Sequence, residues 1–201
     1  SLGVIAEKII VINPGIDPVE KIDNKSLKEA EKILKGKNPR LITVSRYDKR
    51  KSHDKILMAL RNLKQTYPNV VYTSIGYGEE EENLKKLVIE LKLEEQVKFL
   101  KDIPNDFKNA LVARSNVFVM PSIIHKKSVE GFGIAYIEAA QYSIPSIGGK
   151  DGGASDAIIN EKTGLICDGN KLDDIYSSID LIFKENKHLE YGKAAKENAN
   201  N

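Results

Sequence analysis

What most limits the folds open to this chain is a series of seven short, nearly uninterrupted apolar runs: Lys8–Ile12, Arg40–Ser45, Val70–Gly76, Gln96–Leu100, Asn116–Ser122, Ile144–Gly149 and Thr163–Asp168. They are rich in β-branched residues and continuous rather than alternating, as strands are when both faces of a sheet are covered. Between them apolar residues return at helical spacing: Ile56, Leu57, Leu60 and Leu63; Leu84, Leu87, Val88 and Leu91; Phe107, Ala110 and Leu111; Ile134 to Tyr142; Leu172, Ile175, Ile179 and Ile182. Strands that alternate with helices imply right-handed crossovers and parallel pairing. The expected class is therefore α/β, a Rossmann-like parallel sheet sandwiched by helices. Ligands of such sheets lie beyond the carboxyl ends of the strands, which directs attention to the loops after Ser45, Gly76, Leu100, Ser122 and Gly149.

Charge and cysteine content narrow the function classes. The 31 basic residues are interleaved with 29 acidic ones for a net charge of +2, so neither a nucleic-acid footprint nor a polybasic membrane anchor is expected. Any anion site must be local. A single cysteine, Cys167, allows no internal disulfide and no cysteine-rich zinc cluster, which fits a reducing compartment. No run approaches the roughly 18 apolar residues of a membrane span, and the start has no signal-peptide pattern. The opening Ser1-Leu2 lacks Met, and the chain is expected to be a piece of a longer one.

Two stretches carry the candidate chemistry. Val44–Lys55 follows an expected strand and places Arg46, Lys49, Arg50 and Lys51 where helix-start amides also point outward, a combination suited to phosphate or diphosphate. A solvated basic loop would look the same in sequence. His53 either caps the helix, touches a ligand, or is structural. The Gly-x-Gly of Ile75–Leu87 lacks the third glycine of a dinucleotide fingerprint, and Glu79 to Glu82 read as a helix start instead. There is no Gly-Lys-Ser/Thr phosphate loop.

In the second stretch, Ser128–Gly149, Gly131 and Gly133 free the backbone to approach a ligand, and a helix is expected to begin near Gly133. Its amides would face the basic turn, gripping a diphosphate from two sides. Glu130 precedes the glycines and Glu138 follows eight residues later, about 12 Å on if the whole interval were helical. Carboxylates hold vicinal hydroxyls well, so one could take a hexose and the other a ribose. The competing reading of Glu138 is an exposed polar edge shared with Gln141. Its many apolar neighbours leave little room for such an edge. Gly152 and Gly153 suit either a backbone contact or a tight turn.

In this order, the segments Asn13–Asp17, Val44–Lys55, Gly76–Leu87, Val97–Leu100, Asn116–Ser122, Glu130–Ile158 and Lys162–Ile166 resemble the carboxyl-terminal, donor-binding domain of the family 4 glycosyltransferases of GT-B fold. The most specific element is Glu130 and Glu138 separated by seven residues around Gly-Phe-Gly. The resemblance implies a retaining enzyme that moves a hexosyl group from a UDP- or GDP-sugar to a glycan or lipid-linked acceptor. It implies catalytic roles for Glu130, Arg46 and Lys51. Donor contacts would come from Glu138, Arg46, Lys51, Phe132, Gly133, Gly131, Lys101 and Ile103, with no metal and no separate cofactor. Arg46 and Lys51 would neutralise the diphosphate, Glu130 would face the sugar and Glu138 the ribose, and Lys101 to Ile103 would edge the base. Ser45, Ser52, Lys101 and Asp156 stand where the family usually has Gly, Gly, Gly and Glu.

On the same resemblance, residues 1–24 are an interdomain linker, 25–187 the Rossmann-like nucleotide-sugar domain and 188–201 a C-terminal helix or tail. The partners would be the donor and an N-terminal acceptor domain absent from this chain, which alone would be inactive. The setting would be cytoplasmic, with the full-length enzyme at the inner membrane face and a role in polysaccharide biosynthesis. Two alternatives remain open: a non-catalytic nucleotide-binding module and a GT-B sugar-nucleotide epimerase.

Overall fold

The computed structural model describes residues 15–16, 18–19 and 21–200, so the expected run Lys8–Ile12 lies outside them. Every later run forms a strand: β1 Arg40–Val44, β2 Val71–Ile75, β3 Val97–Leu100, β4 Val117–Met120, β5 Ser146–Gly149 and β6 Gly164–Cys167. All pair in parallel, in the order β3-β2-β1-β4-β5-β6. The helices are α1 Asn24–Leu34, α2 His53–Thr66, α3 Glu81–Glu90, α4 Asn105–Ala113, α5 Ile134–Gln141, α6 Ala154–Ala157, α7 Leu172–Lys184 and α8 Lys187–Ala199.

Alternation along each strand divides the interior in two. Leu41, Tyr72, Val117 and Val119 join Ile56, Leu57, Leu60, Leu63, Ile175 and Ile179 of α2 and α7 on one face. Ile42, Val71, Phe118 and Met120 join Ala30, Leu34, Phe107, Leu111 and Tyr136 of α1, α4 and α5 on the other. With both faces covered, β2, β4 and β5 are buried along their whole length, which is why their sequences show no polar alternation.

Besides the single turn α6, two helices lie outside the five segments of helical spacing. The stretch Asn13–Ser26 reads as a turn-rich connection, yet α1 begins at Asn24, capped by the Asp23 carboxylate accepting from the Ser26 amide at 2.9 Å. The terminal residues, read as helix or tail, form α8, whose Tyr191 is buried and whose Gly192 packs on the Ser143 backbone. Strand order reverses between β1 and β4, so the loops after these two strands open on one crevice, the position at which open α/β sheets bind ligands.

Candidate functional site

The basic turn leaves β1 and the Glu130 segment leaves β4. Lys49–Lys51 form a single 3-10 turn that swings Arg50 and Lys51 inward, leaving them 8% and 7% exposed, while Arg46 stays in solvent with its side chain 75% exposed. Two buried cations need a counter-charge. Glu130 supplies it: its Oε2 accepts from Arg50 Nη1 at 2.7 Å, from Lys51 Nζ, and from Ser122 Oγ at 3.3 Å. Burial raises the Glu130 pKa, but the hydrogen bonds and charges of Lys51 and Arg50 outweigh it and hold the carboxyl below its usual range. Burial lowers the Lys51 pKa, with the Glu130 contact opposing that shift.

Asp48 reaches both arginines at long range, 3.8 Å to Arg46 and 3.9 Å to Arg50. The backbone ties the two loops together as well, Ile123 N–H donating to the Arg50 carbonyl at 2.8 Å.

Above this cluster α5 begins. Gly133 is its N-cap at φ 82°, in the left-handed region, with no side chain capping the first turn. A Cβ there would overlap the Tyr136 ring, whose hydroxyl donates to the Met120 carbonyl at 2.6 Å. The glycine thus lets the turn close over a buried tyrosine, and the uncapped amides of the first turn remain available to an anion. Gly153 serves the same loop: its N–H donates to the Glu130 carbonyl at 2.9 Å, and a Cβ would overlap the Gly131 carbonyl. Of the two readings open for Gly152 and Gly153, the structure shows Gly153 in backbone packing against the Glu130 loop.

A cavity of about 350 Å³ is lined by Arg46, Arg50, Lys51, Glu130, Gly131, Phe132, Gly133 and the start of α5. Six of the residues expected to catalyse or to contact the donor, Arg46, Lys51, Glu130, Gly131, Phe132 and Gly133, therefore share one space with Arg50. Glu138 does not line it. It lies on the exposed side of α5 in a neighbouring cavity of about 730 Å³, together with Ile16, Asn105, Asp106 and Gln141. The exposed edge that the apolar neighbours of Glu138 argued against is real. Tyr136, Ala139 and Ala140 face the core, and Glu138 takes the opposite side. Because the helix begins at Ile134, the interval from Glu130 is only half helical and the 12 Å spacing estimate does not apply. Lys101 is exposed and 3.7 Å from Glu81, and half-buried Ile103 packs against the core beneath α4; neither lines either cavity.

His53 is structural. It is 2% exposed beneath the basic turn, with Nε2 3.0 Å from Ser45 Oγ and Nδ1 2.9 Å from Tyr72 Oη. Tyr72 Oη donates to Thr43 Oγ1, which donates to the Val119 carbonyl. Its proton being used there, Tyr72 accepts from Nδ1–H, and Nε2 accepts from Ser45. Burial drives the imidazole pKa down to about 4. This network pins β1, β2, α2 and β4 below the site. Arg50, named in sequence as one of four cations of the basic turn, was given no role of its own in the site. Its only signal was its place beside Lys51 in the basic turn.

The family model for glycosyl transferases group 1 matches residues 24–201. A GDP-mannose-dependent alpha-(1-6)-phosphatidylinositol monomannoside mannosyltransferase of Mycolicibacterium smegmatis is 31% identical over 164 residues, covering 80% of this chain and 43% of that protein. The chain thus spans less than half the length of this relative. Among solved structures, Anabaena HepE in complex with UDP and glucose aligns with TM-score 0.81 at 22% identity, over 98% of this chain and 53% of that one. The C-terminal domain of a glycosyl transferase group 1 family protein of Francisella tularensis aligns with TM-score 0.71 at 20% identity, over 90% of this chain and 91% of that one.

Proposed function

Since the chain belongs to the glycosyl transferases group 1 family, we propose that it is the carboxyl-terminal, donor-binding half of a retaining, family 4 type GT-B enzyme that transfers a hexosyl group from a nucleoside diphosphate sugar. The observation that carries this reading is the Arg50–Glu130–Lys51 cluster, held where strand order reverses and facing the uncapped start of α5 across one cavity. In this reading the diphosphate lies between the cations and the α5 amides. Glu130 exchanges part of its hold on them for the hydroxyls of the transferred sugar. Glu138, one cavity further along α5, takes the ribose, and the base extends toward Lys101 and Ile103.

The costly event in such a transfer is breaking the bond from the anomeric carbon to the diphosphate. Positive groups that tighten on the leaving diphosphate as its charge grows lower that barrier, and groups already fixed in place need no reorganisation to do so. Lys51 and Arg50 are fixed by burial; Arg46, on the rim and held only by a 3.8 Å contact to Asp48, would close over the phosphate. The proton acceptor and acceptor alignment would come in part from a second domain of a longer protein, consistent with a relative that extends well beyond this chain. Peripheral contact of that protein with a membrane is part of this proposal and rests on the family resemblance alone. Among the described residues no helix is long and apolar enough to cross one.

The name of the Mycolicibacterium relative makes a GDP-hexose the first donor to test, and the HepE complex makes a UDP-hexose the second. Calorimetric titration with GDP and UDP, with Glu138→Ala as control, tests the reading. Binding of one nucleotide, weakened by about 1 to 3 kcal/mol in the variant, is the expected result. Loss of Glu138 without effect, or no binding at millimolar nucleotide, would overturn it.

A further inference from the structure

A third cavity, about 690 Å³, opens on the far side of the basic turn and shares Arg46 and Arg50 with the cavity of Glu130. The cavity of Glu138 shares Ile134 with that same central one. The three therefore run in sequence, with the Glu130 cavity in the middle.

Lys49, Lys126 and Lys127 line the outer cavity beside the two arginines, against Asp48 and Glu79. Among the described residues none of these three lysines is ion-paired, whereas Arg46 and Arg50 both reach Asp48. The lysine pair is held beside the site by its backbone. His125 and Ser128 exchange backbone hydrogen bonds of 3.1 and 2.9 Å, which closes a tight turn with Lys126 and Lys127 at its tip. Lys126 sits at φ 55°, a left-handed conformation that a lysine adopts at a cost. The opposite wall is fixed to the basic turn by Tyr47 N–H to the Tyr77 carbonyl at 2.9 Å and Glu80 N–H to the Tyr47 carbonyl at 3.1 Å.

Unpaired cations around a concave space attract an anion with at least two oxygens, and phosphoryl groups satisfy this best. We propose that this outer basic cavity receives a phosphoryl group of the acceptor. The assignment rests on the donor reading above: with the ribose at the Glu138 end and the diphosphate in the middle, what lies beyond Glu130 is what the sugar is passed to. Flanking the lysine turn, Ile124 and Val129 are 58% and 47% exposed, an apolar and basic combination that suits a phosphate carried on a lipid as well as a soluble ester.

The test follows backbone amide shifts of this chain titrated with glycerol 3-phosphate, and sedimentation with phosphatidylcholine vesicles with and without phosphatidylglycerol. Each is run alone and with saturating GDP or UDP. The expected result is shifts at residues 49–50 and 125–128 that persist beside the nucleotide, or nucleotide-independent binding to the anionic vesicle. The double variant Lys126→Glu, Lys127→Glu should weaken this binding about tenfold or more with nucleotide affinity retained. Binding of the ester assigns a soluble source; binding only to the anionic vesicle, lost in the variant, assigns a lipid headgroup. The proposal is overturned if neither probe binds, if the double variant binds both as the parent does, or if shifts fall only at Gly133–Ala135 and nucleotide abolishes them. Failure of the donor reading is separate, appearing as absent nucleotide binding or an ineffective Glu138→Ala, and the titration without nucleotide still reads the outer cavity.

Discussion

Acidification should loosen this fold chiefly through one buried side chain. His53 is buried and neutral beneath the site, its pKa driven from 6.5 to about 4 by burial, with the Arg46 carbonyl opposing and Lys51 reinforcing the shift. Between those two values the unfolded chain carries a proton on this imidazole that the folded chain does not, so stability rises with pH across the window. The contribution of neutral His53 is fully present above pH 6.5 and lost as pH falls toward 4. Each unit is worth about 1.4 kcal/mol, so the loss from about pH 7.5 to about pH 5 is about 2 kcal/mol after allowing for partial protonation at the ends. For a chain of this size that corresponds to a melting temperature lower by about 4 to 8 °C.

Burial also lowers the His188 pKa, and it adds in the same direction. The assay is therefore a difference: urea unfolding of the parent and of His53→Gln at both pH values. The variant starts less stable because the contacts to Ser45 and Tyr72 are altered, but its loss on acidification should be smaller by about 2 kcal/mol. Equal losses in parent and variant would refute the argument that His53 is held neutral by its surroundings.

Two further perturbations read the site directly. Glu130→Gln removes the charge that balances Arg50 and Lys51, so it should cost about 1 to 3 kcal/mol in urea unfolding. It should also raise affinity for inorganic diphosphate several-fold in calorimetry while reducing the preference for a nucleotide sugar over the bare nucleoside diphosphate; unchanged diphosphate affinity would mean that Glu130 does not compete with the ligand. Gly133→Ala places a Cβ against the Tyr136 ring at a positive φ and should destabilise the fold by more than about 1 kcal/mol, with nucleotide binding weakened because the α5 amides move. A variant as stable as the parent would show that the turn is not constrained as drawn.

What the sequence determined by itself was local and periodic. Runs such as Val70–Gly76 and Ile144–Gly149 lack polar alternation because both faces of their strands are covered, so they reported a doubly covered parallel sheet directly. The basic turn and Glu130 were legible as types of residue at the ends of β1 and β4. Helix α1 was missed although Leu27, Ala30 and Leu34 recur at helical spacing after the Asp23 cap, because its first residues fall in the turn-rich stretch Asn13–Ser26, which reads as a connection.

Only the tertiary structure decided which members of the turn go inward. Arg50 and Lys51 find their counter-charge 80 and 79 residues away at Glu130, a pairing created by the adjacency of β1 and β4, and no local pattern encodes it. The same packing put Arg46 on the rim, turned Glu138 onto the exposed side of α5, and closed His53 into a network spanning three strands. Burial of charge is affordable only where a partner is brought to meet it, and the fold alone brings these partners together.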